Sequence, residues 1–193
     1  MTRDEAPSPI PKNPNAGIRY VAFLRGINLG KRRVKMETLA AIFTDAGFAG
    51  VRTVIASGNV LFGSDQEDMP ALATMIEAVL TDSLGYEVKT VVRTVADLQT
   101  LVARDPFAGI DPNEAKCDVV FLAQPPADLP ALPAHFPDEH FAVLEVDGAT
   151  VFMIRHRRPD GRGFGSDANS VDRLFGRGAT VRTWNTVVKI AGL

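Results

Sequence analysis

At 193 residues the chain has room for one large domain or two small ones, and its 46% hydrophobic content is enough to fill a core. No apolar run approaches the roughly 20 residues needed to span a bilayer, and the single Cys117 excludes an internal disulfide. A net charge of −2 hides a segregation: Ala6 to Met36 carries seven Lys or Arg and no acid, Arg155 to Leu193 eight basic and three acidic residues, and Glu37 to Ile154 eighteen acidic against five basic.

The first seventeen residues hold Pro7, Pro9, Pro11 and Pro14 without periodicity and without the apolar core of a signal peptide. They read as a disordered N-terminal arm, and the whole as a soluble cytoplasmic protein. Ile18 to Leu24 is a near-continuous apolar strand of the kind found in the centre of a sheet. Met36, Leu39, Ala40, Ile42 and Phe43 follow at helical spacing, and Gly47 is placed to end that helix. Val51 to Ile55 is a second strand, Ser57-Gly58-Asn59 a tight turn, and Val60-Leu61-Phe62 the return. Asp65 is the expected cap of a helix whose buried stripe is Met69, Leu72, Ile76, Val79 and Leu80, with Gly85 at its end. Tyr86 to Val92 is the next strand. The order β-α-β-β-α-β over 18–93 is that of a ferredoxin-like unit, two helices on one face of a four-stranded antiparallel sheet.

The remainder, 94–193, reads as a second α/β half. Thr94 caps a helix over Val95 to Ala103, and Asp105-Pro106-Phe107 breaks it. Cys117 to Leu122 is a strand, while the prolines between Pro125 and Pro137 leave room for one short helix at most. His140 to Val146, the turn Asp147-Gly148, and Thr150 to Ile154 form the clearest hairpin. A helix follows from about Asp167 to Phe175, then a short strand Ala179 to Thr183 and a terminal helix Trp184 to Ile190. No residue-by-residue repeat is evident, so a duplication rests on element order alone. The fold class is α+β: an N-terminal ferredoxin-like βαββαβ unit followed by a related α/β half.

Three patches form a set: Ala22-Phe23-Leu24-Arg25-Gly26-Ile27-Asn28-Leu29-Gly30, Ile55-Ala56-Ser57-Gly58-Asn59-Val60, and Thr180-Val181-Arg182-Thr183-Trp184-Asn185-Thr186-Val187. In them the chain resembles the bacterial family called domain of unknown function 1697, from about Ile18 to Leu193. The family's last patch usually reads Arg-Asn-Trp-Asn-Thr; here Thr183 stands in the second place. The resemblance implies an α+β protein with a ferredoxin-like N-terminal half. It implies no established activity, cofactor or catalytic residue.

The same patches hold the candidate ligand-binding residues. Between strand and helix, Arg25, Gly26, Asn28, Lys31 and Lys35 combine flexible backbone with basic side chains, as an anion site requires. Arg25 suits a phosphate or carboxylate clamp, and Asn28 an amide or base edge. The plainer alternative pairs Arg25 with an acid and has Asn28 hold the loop through an Asx turn. Ser57 and Asn59 are turn residues first. Usual connection geometry puts their hairpin at the other end of the sheet from Arg25. Trp184, the sole indole, with Arg182, Asn185 and Thr186, suits a stacked base and a held phosphate; alternatively Trp184 packs the last helix and Thr183 caps it. The loop Gly161 to Ser166 matches no phosphate-binding fingerprint. His135, His140 and His156 lack ligand spacing, so no metal and no cofactor is expected.

The leading expectation is a non-catalytic binder of an anionic ligand, a nucleotide or nucleic acid. A second is an enzyme on a small phosphorylated or carboxylated substrate, with Arg25 and Arg182 converging beside a titratable group. A third is a structural or interaction protein, with Arg25 and Trp184 buried and satisfied internally.

Overall fold

The computed structural model describes residues 17–28, 33–55, 58–128, 131–165 and 168–193. The chain begins with β1 (Ile18–Leu24), α1 (Met36–Asp45), β2 (Ala49–Thr53), β3 (Asn59–Ser64), α2 (Met69–Leu84), β4 (Thr90–Thr94) and α3 (Val95–Arg104). It continues with β5 (Ala115–Phe121), β6 (Ala134–Phe136), β7 (Phe141–Asp147), β8 (Thr150–His156), α4 (Ala168–Phe175), β9 (Thr180–Thr183) and α5 (Trp184–Ala191). Two antiparallel sheets result, ordered β2-β3-β1-β4 and β6-β7-β8-β5-β9. The described residues include no helix long and apolar enough to cross a membrane.

Strand alternation divides the apolar residues among three layers. In β1, Tyr20, Ala22 and Leu24 face α1 and α2, while Val21 and Phe23 face the other way. In β5, Val119 and Phe121 face that same inner cluster, and Val120 and Leu122 face α4. The inner cluster therefore takes one face from each sheet, with α3 and α5 packed into it. At its centre Phe23 stacks on Phe121, ring centroids 4.3 Å apart and planes 7° from parallel. Both central strands are covered on both sides, which is why each reads as a continuous apolar run.

Four strands of the second sheet, β7-β8-β5-β9, follow the order of the first, and β6 is an additional edge strand. Phe23 pairs with Asn59 on β3 and Val91 on β4; Phe121 pairs with Thr150 on β8 and Thr180 on β9. These registers align Val21-Ala22-Phe23-Leu24 with Val119-Val120-Phe121-Leu122, and Val92-Arg93-Thr94 with Val181-Arg182-Thr183. An irregular pairing also occurs on β2 and on β7 where each faces the middle of its partner strand.

Several expectations need correction. The cap of α2 is Asp68, which accepts from Ala71 N–H at 3.0 Å, two residues before Pro70 in the first turn. Asp65 instead accepts from Gly17 N–H. The strand expected over Tyr86 to Val92 is confined to Thr90–Thr94, because β1 ends at Leu24 and offers residues 86–88 no ladder. The segment 125–137, where the prolines leave room for one short helix at most, adds Ala134–Phe136 to the sheet as β6, and a single 3-10 turn, Pro137–Glu139, begins at its end. The β2–β3 hairpin does not lie away from the β1–α1 loop. β3 runs antiparallel to β1, Leu24 N–H donates to Gly58 O at 2.8 Å, and hairpin and loop share one end of the sheet. Gly58 is required there: its φ is +74°, and a Cβ would fall 2.8 Å from Ile27 Cγ2.

The Phe23–Phe121 stack joins the sheets, so Phe121→Ala opens a cavity that neither rigid sheet can close. It should cost about 3–5 kcal/mol, read as a lowered urea midpoint with an unchanged m-value.

Candidate functional site

Arg182 is buried at 8% exposure and lies mid-strand on β9. Its Nη2 donates to Leu24 O at 2.9 Å and Gly58 O at 3.1 Å; its Nε donates to Asn59 Oδ1. Nη1 donates to Thr180 Oγ1 and to Val181 O, each at 2.8 Å. The guanidinium carbon stands 5.4 Å from the centroid of Phe23. No acid contributes to this set. Burial alone pulls the guanidinium pKa down to about 10.

Asn59 is the fully buried counterpart. Its Nδ2 donates to Val54 O at 2.9 Å, which leaves Oδ1 for Arg182. One amide thus closes the β2–β3 hairpin and receives a group from the other sheet. Ser57, beside it in sequence, lies outside the described residues, as does Lys31.

Arg25 also crosses between the sheets. Its Nη1 donates to Arg177 O at 2.6 Å and Ala179 O at 2.9 Å, and its Nη2 pairs with Asp172 at 2.6 Å. Arg25 therefore meets an acid, and its guanidinium has no acceptor in common with that of Arg182. Gly26 turns the chain with a φ of 68°. Asn28 Oδ1 accepts from Val34 N–H at 2.8 Å, which holds the loop in shape. Lys35 precedes α1 and is exposed.

Trp184 opens α5, half-buried against the inner cluster and edge-on to Phe107 at 5.3 Å. Thr183 takes the N-cap position without a cap bond from its side chain; its hydroxyl instead meets the Thr186 hydroxyl at 3.0 Å. Asn185 is exposed.

Arg93 was not among the sequence candidates. It occupies the register position of Arg182 in the first sheet, and its contacts mirror those of Arg182. Nη2 donates to Leu122 O at 2.7 Å and Ala149 O at 3.0 Å, Nη1 donates to Val92 O at 2.8 Å, and the guanidinium carbon is 5.7 Å from the Phe121 centroid. Burial lowers its pKa as well. Beside it opens a cleft of about 690 Å³ between α2, β4, α3 and the ends of the second sheet. Glu77, Asp97, Arg104 and Asp147 also line this cleft. The sequence signal was present in the shared triplet Val-Arg-Thr at 92–94 and 181–183.

Asp118, 1% exposed on β5, pairs with Arg155 on β8. Burial pushes its carboxyl pKa up, and the bond and charge of Arg155 oppose that shift.

Two outcomes follow from these contacts. Arg182→Met removes the donors to Leu24 O, Gly58 O and Asn59 Oδ1 together, and should cost at least about 3 kcal/mol in chemical denaturation; Arg182→Lys should recover only part, since an ammonium lacks the planar fork. For Asp118 the folded pKa lies above the unfolded one. Its contribution is then full below the unfolded value of about 4 and is lost as pH rises through the folded value. Asp118→Asn should flatten the fall of the denaturation midpoint with pH above about 4.

No curated protein matches the chain. Among solved structures it is similar to the conserved bacterial protein SP0830 from Streptococcus pneumoniae, at 19% identity, with a TM-score of 0.62 over 91% of this chain and 97% of that one. That likeness concerns the fold. The inner strands, the first hairpin and β4 through the β7–β8 turn fall within residues 18–149, which match the family model described as Protein of unknown function (DUF1697), and the chain belongs to that family.

Proposed function

We propose that the protein is a non-catalytic binder of an anionic ligand, a nucleotide or nucleic acid, on the face where the β1–α1 loop meets the α4–β9 turn. The observation that carries this reading is the reach of Arg25 to Arg177 O, Ala179 O and Asp172, which joins the two basic segments of the chain. Lys35 and Arg177 are exposed around that junction, and Arg33 Nη1 donates to Asn28 O at 3.2 Å within the loop. The guanidinium of Arg25 is engaged, so Lys35 and Arg177 supply the contacts to phosphate, with Lys31 from the same stretch of sequence. Gly26 and Asn28 shape the loop. Asn59 and Arg182 set its base from below, and the exposed Asn185 and half-buried Trp184 belong to a separate surface at the start of α5.

Catalysis on a small phosphorylated or carboxylated substrate has less support. It requires Arg25 and Arg182 in one pocket with a titratable neighbour, whereas the partners of Arg182 are carbonyls, an amide and a hydroxyl. The same proposal takes 18–93 as a ferredoxin-like unit and 94–193 as a second, related α/β half. The order β7-β8-β5-β9, which follows β2-β3-β1-β4 apart from the additional β6, and the matched registers support that relation. A cytoplasmic setting goes with a lone, half-buried Cys117 whose thiol pKa burial raises.

The test is fluorescence anisotropy of a short labelled single-stranded RNA, and of its DNA counterpart, across salt concentrations. Binding should be saturable and fall steeply with salt. The double substitution Lys35→Glu and Arg177→Glu should weaken it about tenfold or more, with stability unchanged. Binding that ignores both salt and charge reversal would overturn the proposal.

A further inference from the structure

The free edges of the two sheets are finished differently. Alternation turns Thr90, Val92 and Thr94 of β4 away from β1. Thr90 N–H donates to Glu77 Oε1 at 2.8 Å, Val92 O accepts from Arg93 Nη1 at 2.8 Å, and Thr94 N–H donates to Asp97 Oδ2 at 3.3 Å. On the matching edge of the second sheet, Val181 O accepts from Arg182 Nη1 at 2.8 Å and Ala179 O accepts from Arg25 Nη1 at 2.9 Å. By register, Ala179 corresponds to Thr90. Arg25 lies two residues past Phe23, and the residue two past Phe121 is the exposed Ala123.

Where Arg25 fills its edge, Ala123 leaves the cleft of about 690 Å³, and Thr90 and Ala123 both stand in its wall. No described residue donates to Thr90 O. Glu77 reaches the cleft from α2, the helix that leads into β4, as Asp172 reaches Arg25 from α4, the helix that leads into β9.

We infer that this cleft binds a small molecule with a guanidinium or ammonium head on an apolar stem. The head donates to Thr90 O and pairs with Glu77, as Arg25 donates to Ala179 O and pairs with Asp172. The cleft's own cations do not compete for an anion: Arg93 Nη2 is held by two carbonyls, and Arg104 by Glu145 and Asp147. Lys89 Nζ lies 3.3 Å from Glu77 Oε2 with its own side chain half exposed, an ion pair weakened by solvent. Glu77, Asp97 and Asp147 leave the lining net negative, which favours a cation. Met69, Val91 and Leu101 supply apolar wall for the stem, and a cleft of this size at the junction of two sheets is in the range small ligands use. The inference is independent of anion binding at the β1–α1 loop.

Calorimetric titration of the full chain with butylguanidinium tests it, with butylurea as the neutral molecule of like shape. Butylguanidinium should bind saturably at one site and butylurea at least about tenfold more weakly, since charge-assisted hydrogen bonds are the stronger kind. Ala123→Arg, at an exposed position that folding tolerates, should place a tethered guanidinium in the cleft and abolish binding. Glu77→Gln keeps the acceptor for Thr90 N–H and should weaken binding about tenfold. Absence of saturable binding to the parent chain overturns the inference. So does equal affinity for the urea, or an Ala123→Arg chain that binds as the parent does.

Discussion

Two arginines, the buried Arg182 and the half-buried Arg93, hold the two sheets of this protein to each other, and each donates to the backbone of the opposite sheet. Arg182 leaves the second sheet and donates to the ends of β1 and β3; Arg93 leaves the first and donates to the end of β5 and the entry to β8. A charge taken from water is costly, so each must recover its hydration from fixed acceptors. Carbonyl oxygens at strand ends suit this because they lie beyond the ladder and still need donors. The guanidinium fork reaches two carbonyls at once, which a point charge on a flexible stem cannot do. Burial lowers the pKa of both groups, unopposed for Arg182 and partly offset by the charge of Asp97 for Arg93.

The rest of the inner layer is arranged around that exchange. Each arginine lies over the phenylalanine of the strand whose end it binds, Arg182 over Phe23 and Arg93 over Phe121, and those two rings stack. Cation–π attraction and ring stacking thus act on the same four side chains as the hydrogen bonds. Gly58 is confined for the same reason. Its carbonyl accepts from both Leu24 N–H and Arg182, and the space a Cβ needs is held by Ile27. The hairpin patch Gly58-Asn59 and the strand patch Val181-Arg182-Thr183 are therefore two sides of one contact.

The element order was legible because each signal is local. Continuous apolar runs marked β1 and β5, the Asp147-Gly148 turn marked the β7–β8 hairpin, and Thr94 marked the start of α3, where the capping box forms. What escaped was non-local. Asp65 and Asp68 are equally good caps by residue type, and the contact of Asp65 with Gly17 separates them. Tyr86 to Val88 has strand composition, but a ladder needs a neighbour and β1 has already ended. The internal contacts of Arg182 are hidden in the sequence for a related reason. A lone arginine beside a tryptophan resembles a phosphate and base site, and only the fold reveals that five acceptors from its own chain surround it. Arg93 was overlooked because three shared residues at different spacings do not register as a repeat until strand pairing aligns them.

The matched registers of β1–β4 and β5–β9 make one difference between the sheets informative. Position 25 is an arginine and position 123 an alanine, although Phe-Leu precedes both and both stand at the same strand end. The first closes the edge of the opposite sheet with a side chain that contacts an acid and two carbonyls. The second leaves an open cleft, a carbonyl without a donor among the described residues, and a carboxylate on the neighbouring helix. Packing alone does not require that difference, since the arginine solution is already realised in the same chain under the same geometry. A fold that solves an edge once and leaves its counterpart open retains room for something else, and the chemistry of Arg25 describes what fits.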